Sequence, residues 1–394
     1  MDIMFSIIIP THNRRELLKN VLYSLNCQTI MNFEVIVVDD GSSDGTQEMI
    51  AGWKAQYTLL YCYIEKTEGT GAARARNKGI EEAKGEIIIF MDSDSLVSSN
   101  FVEEHQRFHK LYNNIALVSV RWQLEDQIIN LDALARGIKK EDLLIDQIEN
   151  QNKIFSIFSY NLGQYMMPWW FFSTSNASVR KEAIIKAGKF DECFGKYILY
   201  EDTELAYRLY QLGVKFVLNL KAECYHLYHP IDEIGKMEHS KGNIAYFQAK
   251  YKEDPEIQCL DLIKDSNWKA IKREERRWIL YLARVKRAKK IKPTMVKHNY
   301  ILIVHNHWYK IKEFMVAMNN KVEVETYRII VIDLGSCDNT DLYIQLLDVK
   351  FRLLYFILEN HTKEEATKKG IEKVSQGDIT IIDFVSNEEK IWRY

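Results

Sequence analysis

Over the first hundred residues, short apolar runs alternate with segments of helical spacing, and each run stops at a proline, an acid or a glycine-rich turn. Phe5–Ile9 closes on Pro10-Thr-His-Asn13, and Phe33–Val38 on Asp39-Asp40-Gly41-Ser42. Leu59–Ile64 leads into Gly69-Thr-Gly71, and Ile87–Met91 closes on Asp92-Ser93-Asp94. Between them, Leu17, Leu18, Val21, Leu22 and Leu25 mark one helical face within residues 14–28. Residues 44–53 read as a second helix, capped by Ser43 or Asp44, and residues 72–83 as a third. This alternation predicts an α/β fold, a parallel sheet with helices on both faces. Ligands of such sheets bind beyond the carboxyl ends of the strands. The Pro10–Asn13 turn, Asp39/Asp40 and Asp92/Asp94 are therefore expected to meet in one crevice.

Residues i and i+2 of an extended chain project to the same side, so Asp92 and Asp94 can face one pocket. That suits a hard divalent cation and a polyphosphate, although a lone pair of strand-ending acids is equally ordinary turn chemistry. A second acid pair, Glu201-Asp202, precedes Leu205, Ala206, Leu209 and Leu212 of an amphipathic helix that ends at Gly213. Two acids there also favour the helix dipole on their own account. Arg208, four residues beyond Glu204, reads as its ion-pair partner. Trp169-Trp170-Phe171-Phe172 is either a platform for a sugar ring or an ordinary buried strand. His226 and His229 follow a strand at Lys215–Leu218, and each is a metal ligand or a half-buried, hydrogen-bonded imidazole.

A chain of 394 residues with 47% apolar content can bury more than one core, and a net charge of −2 gives no support to a nucleic-acid partner. Six cysteines without C-x-x-C spacing point to a reduced, cytoplasmic protein. The first strand begins too early for a signal peptide, and no stretch reaches the length of a membrane-spanning helix. Charge is uneven, however: from Lys264 to Lys292 twelve basic residues face only Asp265, Glu274 and Glu275. With Trp268, Ile271, Trp278 and Leu282 interleaved, this reads as an amphipathic linker helix. It is expected to pack on the catalytic domain with its basic face solvated; the alternative is peripheral contact with an anionic inner membrane face.

Beyond it the opening pattern recurs. Asn299–Asn306 echoes the first strand and its His-Asn, Tyr327–Thr340 echoes Phe33–Thr46, and Ala366–Ile371 with Gly377–Asp383 echoes Ala75–Asp92. In this copy Leu334 stands for Asp40, and Asp383-Phe-Val carries no second acid. The expected division is 1–262 catalytic, 263–296 linker, and 297–394 a truncated, degenerate copy. The copy is expected to bury a sheet face against the first domain or another subunit, a route to a homo-oligomer.

The set Ile-Ile-Pro-Thr-His-Asn-Arg, Val-Val-Asp-Asp-Gly-Ser, Ala-Arg-Asn-Lys-Gly-Ile, Met-Asp-Ser-Asp and Tyr200-Glu-Asp-Thr-Glu-Leu205 resembles the family 2 glycosyltransferases of GT-A fold across roughly residues 3 to 235. Phe172–Lys181 and Gly188–Glu192 are similar to chondroitin-polymerase-type and galactosyltransferase-like bacterial members. The resemblance implies a UDP-sugar donor. Pro10, Thr11 and Asn13 would contact the donor, and Asp40, with Asp39 nearby, would accept the uracil imide N–H. Arg76 and Asn77, or Arg74, would lie near the base or phosphates, and Asp92 with Ser93 at the ribose. Asp94 and His226, or else His229, would hold Mn²⁺ or Mg²⁺. Asp202 would be the general base of an inverting transfer beside Glu201. Asn176, Glu204, Trp169 and Trp170 would contact a saccharide, lipid-linked or peptide acceptor, the setting being bacterial polysaccharide synthesis. A sugar-phosphate nucleotidyltransferase would need a glycine-rich phosphate loop after the first strand, which Pro10–Arg15 lacks. The remaining alternative is a non-catalytic scaffold descended from such a transferase.

Overall fold

The computed structural model describes residues 5–67, 71–148, 162, 167–196, 199–230, 233–258, 260, 296–321, 326–336, 338, 340–341, 344, 351–358, 361–374, 377–385 and 390–393. The basic linker segment expected at 263–296 lies, up to residue 295, outside them. The described residues of 5–148 and 167–260 form one compact unit, and those from 296 to 393 belong to another.

The first unit opens with β1 (Phe5–Thr11), α1 (Arg15–Leu25), β2 (Phe33–Asp40), α2 (Thr46–Ala51), β3 (Thr58–Ile64), α3 (Ala72–Glu82) and β4 (Ile87–Met91). The four strands lie in the order β3-β2-β1-β4, all parallel. Both faces of these strands are covered, which is why their sequences are near-continuous apolar runs rather than alternating ones. Ile7, Ile9, Val35, Val37, Ile87 and Ile89 meet Leu18, Val21, Leu22 and Leu25 of α1 in one core cluster. On the other face α3 lies so close that a Cβ on Gly79 would fall 2.5 Å from Ile8 Cγ2. Only glycine permits that approach.

The second half of the sheet is mixed. After β5 (Ser95–Val97) and α4 (Phe101–Leu111), β6 (Ile115–Leu124) runs to a short α5 (Leu131–Ala135) and β7 (Ile145–Ile148). Then come β8 (Asn176–Arg180), α6 (Lys181–Ala187), α7 (Glu201–Gln211), β9 (Lys215–His226) and α8 (Glu233–Lys250). The order continues β4-β8-β6-β9-β5; β8 is antiparallel to both β4 and β6, whereas β6 and β9 are parallel. The ninth strand runs from Lys215 to His226, well past the expected Leu218, because a register shift near Ser119–Arg121 lets it keep pairing with β6. Its last residues pair with β5, His226 opposite Ser95, which delivers His226 to the end of the Asp92–Asp94 turn.

The other unit contains β10 (His298–Val304), α9 (Trp308–Asn319), β11 (Tyr327–Asp333), β12 (Arg352–Ile357), α10 (Lys363–Ile371), β13 (Asp378–Asp383) and β14 (Lys390–Arg393). Its order, β12-β11-β10-β13-β14, reproduces β3-β2-β1-β4-β8 down to the antiparallel last strand. A Cβ on Gly370 would fall 2.6 Å from Ile301 Cγ2, repeating the Gly79–Ile8 approach. Among the described residues no helix is long and apolar enough to cross a membrane.

Candidate active site

The carboxyl ends of β1, β2 and β4 and the start of α7 frame the crevice. At its left wall Asn13 takes a left-handed conformation, φ 49°, and ties the β1 turn to the β2 turn. Its N–H donates to Ser42 Oγ at 2.8 Å, and its Oδ1 accepts from the Ser43 N–H at 2.8 Å. Asp39 accepts from the Ser42 N–H and from Tyr61 Oη, both at 2.8 Å. Both residues were expected at the donor; in the structure their polar groups shape the two loops. The second unit supplies an internal control. There Asp333 accepts from the Ser336 N–H and Tyr355 Oη, and the Asn306 N–H donates to Ser336 Oγ, although Asp40 has become Leu334. Bonds kept where the neighbouring acid is absent serve the shared geometry of the loops.

Asp40 behaves differently. It is buried, Oδ1 has no hydrogen-bond partner, and burial raises its carboxyl despite Lys66, His12 and Arg74 nearby. A buried acceptor left without a donor costs free energy, and among the described residues none supplies one to Asp40 Oδ1. Thr11 Oγ1 is a second such atom at the end of β1. Pro10 precedes it, half-buried. Arg74 donates to Glu65 O and Thr67 Oγ1, on the flank of the turn near Asp40.

Arg76 is the hub. Its guanidinium is buried and donates through Nη1 to Glu201 Oε1 at 2.8 Å and through Nη2 to Asp92 Oδ1 at 3.4 Å. It therefore joins the acids of the β4 turn to those at the start of α7. Arg121 Nη1 lies 3.6 Å from the other oxygen of Asp92. Burial and the neighbouring Asp94 push the Asp92 carboxyl up, against these two guanidiniums. Ser93, between them, is buried.

Asp94 meets His226 Nε2 at 3.5 Å through Oδ1, and His229 Nε2 at 3.2 Å and Arg14 Nη1 at 3.3 Å through Oδ2. One ligand atom from each of Asp94, His226 and His229 falls within 4.8 Å of the others. The two histidines, expected as alternatives, both lie against Asp94. Burial would raise the Asp94 carboxyl, but hydrogen bonds from the imidazoles and the charge of Arg14 hold it well below the usual range. One carboxylate and two imidazoles fit a divalent transition cation, imidazole favouring Mn²⁺ over Mg²⁺.

Asp202 Oδ1 accepts from the Thr203 N–H at 2.7 Å, and Oδ2 from the Thr174 N–H at 3.3 Å. Burial first, and then the charge of Glu201, push its carboxyl up to about 7. The acid pair starts α7 after two successive left-handed residues, Leu199 and Tyr200, each at φ 76°.

Four expected site residues have their side chains engaged or buried within the fold itself. Asn77 spends its amide on the backbone of Phe190 and on Glu192, pinning the segment after α6 to α3. Asn176 donates to Val120 O and Ala222 O, sewing three strands together beneath the site. Glu204 is wholly buried and bound by Arg208, Lys250 and Tyr251, which fasten α7 to α8; the Glu204–Arg208 pair itself is as expected. Trp169 is wholly buried against Tyr207 and Phe247, and Phe171 and Phe172 are buried beside it. Trp170 alone of this run stays half-buried, its ring 6.0 Å from that of Tyr200. Arg14, Arg121 and Thr174 were not singled out from the sequence. Arg14 adjoins the Pro10–Asn13 turn and could have been; Arg121 and Thr174 reach the site only through the pairing of β6, β8 and β9.

An α/β sheet whose carboxyl-end crevice holds an orphaned acceptor, a carboxylate–imidazole cluster and a raised carboxyl has groups that a transferase can use to hold its ligands and accept a proton. Comparison with known proteins agrees. Residues 6–184 match the model of the family described as Glycosyl transferase family 2. An uncharacterized glycosyltransferase, YfnE of Bacillus subtilis (strain 168), is 32% identical over 289 residues, spanning 65% of this chain and 72% of that protein. The chondroitin synthase of Escherichia coli is 29% identical over 244 residues, 56% of this chain but only 34% of that protein. Among solved structures, S. aureus TarS 1–349 in complex with UDP-GlcNAc aligns at a TM-score of 0.48 and 18% identity, over 73% of this chain and 76% of that one. The chain belongs to glycosyltransferase family 2, and its first unit has the family's GT-A fold.

Proposed function

We propose that the first unit transfers a sugar from a UDP-sugar to a hydroxyl of a saccharide, lipid-linked or peptide acceptor, with inversion at the anomeric carbon. The observation that carries this reading is Arg76, which brings the raised carboxyl of Asp202 and its neighbour Glu201 to the acids of the β4 turn. Asp40 accepts the imide N–H of uracil, satisfying its orphaned Oδ1. Asp92 accepts from the ribose hydroxyls. Asp94, His226 and His229 would hold a divalent cation, which would supply positive charge to offset that of the departing diphosphate.

Asp202 takes the proton of the acceptor hydroxyl. The acceptor oxygen forms its bond to the anomeric carbon on the face opposite the diphosphate. The bond from that carbon to the diphosphate oxygen breaks, and its electron pair leaves with UDP. A base near 7 suits this role, because it is half ionised at working pH yet still basic. Trp170 and Tyr200, part-exposed beside α7, offer an aromatic surface for the acceptor ring.

Calorimetric titration with UDP, GDP and a panel of UDP-sugars, each with Mn²⁺ and with EDTA, tests the reading. Metal-dependent binding of UDP and one UDP-sugar is expected, with Asp202→Asn leaving that affinity within about twofold while transfer falls at least about a thousandfold. Guanine preference would remove the assigned donor, and undiminished turnover in Asp202→Asn would remove the assigned base.

A further inference from the structure

Asp94 has a resident cation of its own. Arg14 Nη1 stands 3.3 Å from Oδ2, the same oxygen that His229 approaches at 3.2 Å. The Arg14 side chain is 33% exposed and that of Asp94 11%, so a solvent-reaching cation rests on a buried carboxylate. A divalent ion that settles among Asp94, His226 and His229 must share the carboxylate with that guanidinium: Oδ2 already carries Arg14, and Oδ1, which has no hydrogen-bond partner, belongs to the same charged group. The two positive charges then repel across a crevice where water screens them poorly. A nucleoside diphosphate reverses that sign, since both cations can face its phosphates.

The second unit bears on the pairing independently. His307 occupies the position of Arg14, and Val385 that of Asp94. Cation and carboxylate are missing together where the scaffold bonds of the same loops persist.

We propose that Arg14 is an electrostatic latch: it neutralises Asp94 in the empty site, weakens binding of a cation alone, and turns to the diphosphate when both ligands are present. Cation and nucleotide are thereby coupled, and a site without donor does not retain metal. The inference rests on the reading of Asp94, His226 and His229 as the cation ligands. It concerns what a positive neighbour does to that site, which the family assignment does not determine.

The test titrates Mn²⁺ alone, UDP alone, and UDP at saturating Mn²⁺ into the full chain, following free Mn²⁺ by its paramagnetic resonance signal. Wild type, Arg14→Met and Arg14→Lys are compared, with thermal midpoints recorded for each. In Arg14→Met, Mn²⁺ alone is expected to bind at least about tenfold tighter, while UDP at saturating Mn²⁺ binds about tenfold weaker. Arg14→Lys, which keeps the charge, restores most of both. By thermodynamic reciprocity the factor by which UDP tightens Mn²⁺ must equal the factor by which Mn²⁺ tightens UDP, and that factor should collapse in Arg14→Met. Unchanged or weaker Mn²⁺ binding in a well-folded Arg14→Met overturns the latch alone. Failure of wild type to bind UDP and Mn²⁺ together overturns the donor-site reading, and the latch with it.

Discussion

At the scale of single residues, the repeat inside the chain separates scaffold from chemistry better than any property of the residue types. Asp39 and Asp40 are adjacent and identical, yet Asp39 is saturated by Ser42 and Tyr61 whereas Asp40 is left with an orphaned oxygen. The copy keeps the first as Asp333 and loses the second to Leu334. Asp202 is the other residue whose setting matters more than its identity. Its folded value of about 7 exceeds the ordinary 3.8, so the folded state binds the extra proton between those limits. Ionising it therefore costs stability progressively as pH rises from about 4 to 7. Two outcomes are expected. Transfer falls about tenfold per pH unit below 7, and Asp202→Asn melts a few degrees higher than wild type at pH 8. A lower melting point would show that the carboxylate stabilises the fold rather than straining it.

At the scale of elements, the start of α7 carries the cost of presenting this acid pair. Leu199 and Tyr200 are both left-handed, a conformation that costs side-chain-bearing residues about 1–3 kcal/mol each unless the surroundings hold it. Asn243 of α8 does the holding: wholly buried, it donates to Leu199 O at 2.6 Å and to Phe194 O at 3.3 Å. Around it, α8 is fastened to α7 by Lys250 and Tyr251 on Glu204. Removing the amide donor in Asn243→Leu should lower kcat about tenfold and stability by about 1–3 kcal/mol. The affinity for UDP, whose proposed site lies at the ends of β1, β2 and β4, should not move. A parallel loss of UDP affinity would mean that α7 and the donor site respond as one body. Glu204 was legible as an ion-pair partner from its spacing to Arg208, but not as a tie to α8. That contact depends on a helix 46 residues further along the chain.

At the scale of the molecule, a line of buried polar groups under the sheet makes the first unit acid-sensitive. Asn176 uses its nitrogen as donor to Val120 O and Ala222 O, so its oxygen accepts from His105 Nε2 at 3.3 Å. His105 Nδ1 must then accept from Ser178 Oγ at 2.7 Å, and Ser178 in turn accepts from His109 Nε2 at 2.8 Å. Both imidazoles are neutral in this chain and wholly buried, and burial lowers each to about 3. The unfolded chain protonates them near 6.5, so stability is lost as pH falls from about 6.5 towards 3, by up to about 2.7 kcal/mol per unit for two protons. Asp202 works against this by about one proton across most of the same window. Urea titrations from pH 7 to 5 should show a falling midpoint in wild type, a steeper fall in Asp202→Asn, and a shallower one in His109→Leu. A flat profile in all three would place protonated histidines in the folded core.

The parallel half of the sheet, its helices and the two acid-ended turns could be read from the chain because they are local. Apolar runs of strand length, helical spacing and the breaks between them follow from backbone geometry within a few residues. The repeat and its lost acids were legible for the same reason. What a polar side chain finds at its end was not, since it depends on chains brought together from elsewhere. Asn77, Asn176 and Trp169 look as available in the sequence as Asp40 and Trp170 do. The segment after α6 takes up Asn77, the antiparallel insertion of β8 takes up Asn176 and the packing of α8 covers Trp169, whereas Asp40 keeps an oxygen without a donor and Trp170 stays half-buried. The sequence by itself determined a crevice with acids at its rim. The tertiary structure decided which acid stays unpaired, which takes two histidines and an arginine, and which is raised to the pKa of a base, because desolvation and neighbouring charge arise only on packing.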